Sequence, residues 1–327
     1  MVTIKDIAQR AGVSFSTVSK ALLDSPLVKH QTKQHILSIA KEMGYQPNIA
    51  ARSLVSRRSG AIGVVWPSVE RAALSSLITS LNEEMEKEGY TTLLSINRIE
   101  SAIATFRRYQ VDAILVFGDH ESNQQSLGSS TIPILTYGAA SYTPFSAVDV
   151  NRGQAIRLAI GHLAALGHTR IAFVGEPQKH DPLQAVKIEA FQDEINRLGL
   201  PFTSDSILQM KGLEFHDGYL AARTMLEQTN RPTAVISGGI DLTRGIVRAI
   251  TEQGLVVPTD ISVVSYDNLP QMEDLEIPMT VVGVAISTIS SVITRTILEL
   301  IEAPKSLKTV HLEPELVIRD STCIVSL

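Results

Sequence analysis

Residues 3–22 read TIKDIAQRAGVSFSTVSKAL, a stretch that encodes two short helices and a tight turn. Thr3 and Asp6 make a capping-box pattern, a hydroxyl ahead of the first turn answered by an acid three residues on. Ile4, Ile7, Ala8 and Ala11 then recur at helical spacing on one face. Gly12 breaks that helix where the chain must turn sharply. Ser14 is placed to cap a second helix, whose apolar side is Val18, Ala21 and Leu22. A third amphipathic stretch over 31–43 turns Ile36, Ile39, Ala40 and Met43 inward and stops at Gly44. Two helices joined by a turn of about three or four residues containing Gly make a helix-turn-helix. Any helical hairpin shares that outline, so the surroundings decide its meaning.

Charge is the first of those surroundings. The chain has 327 residues and a net charge of −5, unevenly spread. Residues 1–58 hold nine Lys/Arg against three Asp/Glu, and the remainder holds twenty against thirty-one. A basic head on an acidic body suits a protein whose one end meets phosphate. With 44% hydrophobic and 19% charged residues the chain is not a disordered one, and its length suits about two domains. A single cysteine, Cys323, excludes an intrachain disulfide. No apolar signal core opens the chain, and no apolar run approaches the roughly 18 residues of a membrane span. The cytoplasm is the expected compartment, with no membrane partner.

From Ala61 the pattern becomes short apolar strands alternating with helical stretches. AIGVVW, TTLLSI, DAILVFG, PILTYG and SAVDV read as buried strands, with amphipathic segments such as 77–88 between them. RIAFVG, SILQM, TAVIS and ISVVSY make a second series, with helices near 153–166, 184–198, 217–227 and 242–253. Alternating strands and helices imply doubly wound parallel sheets. Two such series suggest two lobes with a ligand crevice at the carboxyl ends of their strands. No internal repeat is strong enough to show a duplication.

The run VTIKDIAQRAGVSFSTVSKAL, followed by MGYQPNIAARSL, resembles the start of the LacI/GalR family of bacterial repressors. The family pattern T-I-x-D-[IV]-A-x-x-A-G-V-S-x-x-T-V-S is matched almost throughout. GHLAALGHTRIAFVG, RPTAVIS, GLVVPTDISVVSYDN and LVIRDST continue the resemblance, in order, to the C-terminus. It implies an all-α helix-turn-helix DNA-binding head (1–46), a hinge helix and linker (47–59), and an α/β two-lobed, periplasmic-binding-protein-like body (60–327). The chain is then expected to cross between lobes near Ala159, Val284 and Leu312. Lobe one would span about 60–159 and 285–311, and lobe two about 160–284 and 312–327.

A recognition helix presents its first turn to base edges in the major groove. By that resemblance Phe15, Ser16 and Lys20 choose the sequence. Lys20 suits guanine O6/N7, Ser16 several bases, and Phe15 either a thymine methyl or packing on the head itself. Thr3, Ser14, Thr17 and Ser19 are better suited to phosphates, which position without reading. Where the family usually caps the third helix with Ser or Thr, this chain has Val28-Lys29-His30. That weakens the cap by ~1 kcal/mol and offers Lys29 to a phosphate. Asn48, Ala51, Arg52 and Leu54 fall in the implied hinge helix, too short to stand alone in water. Leu54 is there either the wedge that enters the central minor-groove step or an ordinary linker residue. Double-stranded operator DNA and a second copy of the chain are the implied partners.

Sugar- and purine-responsive members of the family present an Asp from a D-x-x-A-x-G turn, an Arg from R-x-x-G-F, and aromatic residues on both lobes. Here Ile240 stands where the acid belongs, unless Asp241 replaces it from one place along. Lys187 stands for the Arg and lacks its bidentate fork. The stretch after the first body strand, Trp66–Leu74, lacks the usual aromatic pair and carries Arg71, while Leu213 occupies the second aromatic place. Asn151 and Asp267 keep matching positions. Such a crevice binds a small molecule less polar or more anionic than a plain sugar, such as a sugar derivative or acid, or has lost its effector.

No other chemistry emerges. His162 and His168 flank a helix end and read as capping or surface residues rather than metal ligands. Gly238-Gly239 lacks the third glycine and downstream acid of a dinucleotide site. Neither a G-x-S-x-G elbow nor a catalytic cysteine context is present. No enzyme, no cofactor and no metal are expected. A free solute-binding protein is disfavoured by the basic head and the missing export signal.

Overall fold

In the computed structural model the described residues are 2–22, 24–45, 58–96, 98–118, 130–138, 144–175 and 182–325. The chain divides into two compact units, Met1–Ser59 and Gly60–Leu327.

Among its described residues the first unit has three helices, α1 (Ile4–Ala11), α2 (Phe15–Leu22) and α3 (His30–Glu42). The capping box forms: the Thr3 N–H donates to Asp6 Oδ2 at 2.8 Å and the Asp6 N–H to Thr3 Oγ1 at 3.4 Å. These bonds hold the Asp6 carboxyl below its ordinary range. Gly12 ends α1 with φ 65°, where a side chain would be strained, and its N–H reaches back to Ala8 and Gln9. Ile7, Val18 and Ile36 are wholly buried, one from each helix, with Val28 sealing the loop side. Lys29 at the start of α3 makes no side-chain cap. In place of a cap, Lys33 in its first turn pairs with Asp24 of the preceding loop at 2.5 Å.

The second unit carries two six-stranded sheets. In chain order come β1 (Ala61–Val65), α4 (Ala72–Lys87), β2 (Thr91–Ser95), α5 (Ile99–Tyr109), β3 (Ala113–Phe117), β4 (Ile134–Tyr137) and β5 (Ser146–Val150). Next are α6 (Arg152–Ala165), β6 (Ile171–Gly175), α7 (Pro182–Arg197), β7 (Ile207–Gln209), α8 (Phe215–Leu226), β8 (Ala234–Ser237) and α9 (Ile240–Glu252). The chain closes with β9 (Ser262–Asn268), β10 (Thr280–Ala285), α10 (Ile286–Glu302), β11 (Thr309–Leu312) and β12 (Glu315–Val317). Sheet one runs β11-β5-β4-β3-β1-β2, all parallel; sheet two runs β12-β10-β9-β8-β6-β7, with only β12 antiparallel. The shared order displays the duplication that the sequence hides.

Alternate residues of each central strand face opposite layers, so both sheets are covered on both faces. On sheet one, Ile62, Val64, Ala113 and Leu115 meet α4 and α10, while Val65, Ile114 and Val116 meet α5. On sheet two, Ile171, Phe173 and Ile236 meet α6 and α7, while Ala172, Val174 and Val235 meet α8 and α9. TTLLSI and SILQM are not buried strands. They are the edges β2 and β7, where Leu94 is 45% exposed and only Leu208 is buried.

Chain crossings need one correction. Helix α6 packs along its length on sheet two through Ala155, Ile156, Ala159, Ile160 and Leu163. The chain therefore leaves sheet one at Asn151, not near Ala159. It returns between β10 and α10, just after Val284, and crosses last between β11 and β12, just after Leu312. Of the two histidines, His168 is not a surface residue and His162 is half-buried. His168 is buried between Thr233 Oγ1 (2.9 Å) and the Cys323 carbonyl (3.0 Å), and His162 meets Thr322 Oγ1 at 3.0 Å. Both pin the C-terminal stretch to lobe two, and burial lowers both imidazole pKa values.

Candidate functional site

Helix α2 buries Val18 and Ala21 against the other two helices, which leaves its remaining side free. Phe15, Ser16 and Lys20 are all exposed, Phe15 by 53%, so Phe15 is a surface side chain rather than part of the head's core. Ser16 and Lys20 are four apart and share a helix face. Thr3, Ser14 and Lys29 are exposed, and Thr17 and Ser19 half-buried. The Thr3 and Ser14 hydroxyls already hold helix starts: Ser14 Oγ accepts the Thr17 N–H at 3.1 Å and lies 2.8 Å from Thr17 Oγ1. Asn48, Ala51, Arg52 and Leu54, the hinge positions, lie outside the described residues.

Between the two sheets of the second unit, at the carboxyl ends of their strands, is a cavity of about 120 Å³. Lobe one contributes Arg71, Leu74, Phe117, Tyr137 and Val150; lobe two contributes Gln184, Lys187, Tyr266 and Asp267; Arg152 enters from the first crossing. Across the gap the Ala72 N–H donates to Asp241 Oδ2 at 3.1 Å, and Gln271 Nε2 donates to Ser76 Oγ at 3.4 Å. The lobes thus meet at the start of α4.

Two family models match the chain: bacterial regulatory proteins of the lacI family over residues 3–48, and a periplasmic binding protein-like domain over residues 160–322. The chain belongs to the LacI family. Among its relatives, the HTH-type transcriptional repressor PurR of Haemophilus influenzae is 28% identical over 335 residues, covering 98% of each chain. Catabolite control protein A of Priestia megaterium is 27% identical over 297 residues, 86% of this chain and 89% of that one. The fold is that of a lac repressor dimer bound to operator and the anti-inducer ONPF, with TM-score 0.86 at 24% identity over 98% and 99% of the two chains. A LacI family regulator from Enterococcus faecium with bound ribose matches at TM-score 0.72 and 22% identity, over 81% of this chain and all of that one. The protein is a DNA-binding transcriptional regulator and not an enzyme.

Against this LacI-family frame, the seven effector positions divide. Arg71, Lys187 and Asp267 line the cavity. Ile240 and Leu213 do not; they are 4% and 5% exposed in the apolar core beneath α8 and α9. Asn151 caps α6, accepting the Gln154 N–H at 3.1 Å, and its amide donates to Glu313, tying the first crossing to the last. Asp241 holds the start of α4, as above. The expected shortage of aromatic residues is also corrected: Trp66, Phe117 and Tyr137 form a ladder with ring centroids 4.8 and 5.4 Å apart, and Tyr266 faces it from lobe two. Arg152, Gln184, Phe117, Tyr137 and Tyr266 were all missed. For the three aromatic residues the signal lies in strand ends, since β3, β4 and β9 each run into an aromatic residue followed by Gly or Asp.

The polar groups of the cavity are mostly engaged. Lys187 Nζ donates to the Gly238 carbonyl at 2.9 Å and sits 3.3 Å from the Tyr266 ring centre, a cation–π contact. Arg152 pairs with Asp149 at 2.5 Å. Burial holds both the Tyr137 and Tyr266 phenols neutral well above the ordinary range. Asp267, at φ 86°, accepts the Ile240 N–H at the start of α9. Burial raises its pKa, opposed by Lys187 and Arg71.

A raised folded-state pKa means that the stability tied to the proton on Asp267 is present in acid and lost as pH rises through the folded value. Asp267→Asn, which keeps the acceptor and tolerates the left-handed backbone, should therefore gain on the parent as pH climbs from about 4 toward neutrality. Urea unfolding of both chains across that range measures the gap. A gap that is constant or moves the other way refutes the assignment.

Proposed function

We propose that this LacI-family regulator is a homodimeric repressor in the cytoplasm that reads a palindromic operator with two heads and two hinges. A small molecule in the interlobe crevice controls it. The observation that carries the DNA reading is α2, whose inner face is fixed by Val18 and Ala21 while Phe15, Ser16 and Lys20 stay exposed. Thr17, Ser19, Lys29, Thr3 and Ser14 surround that face as candidates for phosphate contact. A palindrome follows from two-fold symmetry, because paired heads meet paired half-sites. The solved relative that holds operator DNA together with an anti-inducer supports joining the two activities in one chain. Control by ligand requires a different affinity for two lobe arrangements, and a change of arrangement that parts the lobes at α4 would break the Asp241–Ala72 contact.

A mobility-shift titration on a palindrome with a central pyrimidine–purine step tests the proposal, run at two salt concentrations beside sedimentation of the free protein. The expected result is a shifted dimer complex that weakens steeply with salt. A monomer that shifts no palindrome ends the proposal. Leu54→Ala is expected to weaken specific binding at least about tenfold while leaving non-specific binding nearly unchanged, since only the kinked operator step accommodates a wedge. Equal losses on both DNAs would remove Leu54 from that role.

A further inference from the structure

The crevice has a property that its relatives' sugars do not explain. Its walls are largely apolar, with Leu74, Phe117, Tyr137, Val150, Val284 and Ile289 among them. At about 120 Å³ it is close to the roughly 150 Å³ cavity that admits a benzene ring. Among the described residues, most of the charged groups within reach are already matched to a partner. Asp149 answers Arg152, Gly238 and the Tyr266 ring hold Lys187, Asp267 takes the Ile240 N–H, and Asn268 donates to Glu315 at 2.9 Å. Two atoms of the lining side chains are buried without a partner: the Nε–H of Arg71 and the Oε1 of Gln184. Gln184 is only 3% exposed, so its oxygen has no access to bulk water. Buried polar atoms left open this way are rare, and a group bound in the crevice would supply the missing partners.

We infer that the ligand is a small aromatic hydroxy acid, of the hydroxybenzoate kind, rather than a neutral sugar. This rests on the crevice being the effector site. The acid's carboxylate meets the Arg71 guanidinium, among the described lining cations the one with an open buried N–H, in a charge-assisted bond. The hydroxyl donates to Gln184 Oε1. The ring lies against the Phe117–Tyr137 wall, which suits a flat apolar body. A hexose would bring a hydroxyl on nearly every carbon against described walls that are largely apolar.

Trp66 is the only tryptophan in the chain and stacks on Phe117, so its emission reports on the crevice. The full-length protein is titrated with 4-hydroxybenzoate, benzoate, 4-hydroxybenzyl alcohol and glucose, following Trp66 emission and calorimetric heat. The expected order is 4-hydroxybenzoate first, benzoate several-fold weaker, the neutral alcohol at least tenfold weaker, and no glucose binding. Gln184→Leu should erase the gap between the two acids, and Arg71→Leu the gap between acid and alcohol. The order among probes on the parent chain stands as a test even where a variant fails to fold. Glucose or the alcohol binding as well as the acid overturns the inference, and so does the absence of acid binding. A parallel operator-binding titration separates the two levels. If glucose alters DNA affinity, effector control survives and the acid class falls. If the acid binds with DNA affinity unchanged, the acid site stands and control through it falls.

Discussion

Asp149→Ala is expected to destabilise the body by about 3–5 kcal/mol, the loss typical of removing one partner from a buried ion pair. Asp149 lies near the end of β5 in sheet one and Arg152 begins α6 on sheet two, so the pair straddles the first crossing between lobes. Their side chains are 14% and 8% exposed. Without Asp149, the guanidinium keeps, among the described residues, only the Val150 carbonyl at 3.3 Å, and the Val150 N–H loses its 2.8 Å bond to Asp149 Oδ1. A cation in the first turn of a helix also opposes the helix dipole, which the carboxylate now offsets. Replacing both partners, Asp149→Leu with Arg152→Met, should recover most of the loss, because the desolvated charge disappears with its partner. Chemical denaturation of parent, single and double variants measures this. A single variant within about 1 kcal/mol of the parent would mean that water already screens the pair.

That pair was not legible in the sequence, for a definite reason. Local signals were readable because their partners sit a few residues apart: the Thr3–Asp6 box, Gly12 at positive φ, and the inward faces of α1 and α2. The strand–helix alternation was readable from apolar runs that the two-sided sheets require. Which sheet a helix covers is not a local property. Ala155, Ile156 and Ala159 would look the same on either lobe, and so the sequence alone sets the first crossing eight residues late. The cavity failed in the same way. Position-by-position matching led to Ile240 and Leu213, which are core, and passed over Arg152 and Gln184, whose roles appear only when distant strand ends converge. Asp241 is the middle case. The sequence showed an acid one place out of step, and the fold turns it across the cleft to the α4 backbone instead of into the cavity.

The same helix, α9, supplies the other large expected effect. Gly245→Ala should cost about 3 kcal/mol or more, at or beyond the upper end of ordinary overpacking. Gly245 and Gly218 sit where α9 and α8 cross, and their missing side chains let the two backbones touch. A β-carbon on Gly245 would press on the Phe215 carbonyl oxygen and come within 2.6 Å of the Tyr219 nitrogen; one on Gly218 would meet the Leu242 carbonyl carbon at 2.7 Å. These are main-chain atoms, which cannot swing aside as a flexible side chain would. The helices must separate, pulling Ile246, Ala249 and Ile250 away from Ala221, Ala222 and Met225 in the shared core. Separation also moves the start of α9, which carries Asp241 to Ala72 and offers the Ile240 N–H to Asp267. The variant should therefore lose interlobe closure as well as stability. Gly161→Ala is the matched control: it lies within α6, nothing stands within 4 Å of its added carbon, and it should gain about 0.5–1 kcal/mol. Thermal unfolding of the two variants side by side decides the matter. If Gly245→Ala unfolds with the parent while Gly161→Ala rises above it, the contact between α8 and α9 is looser than drawn.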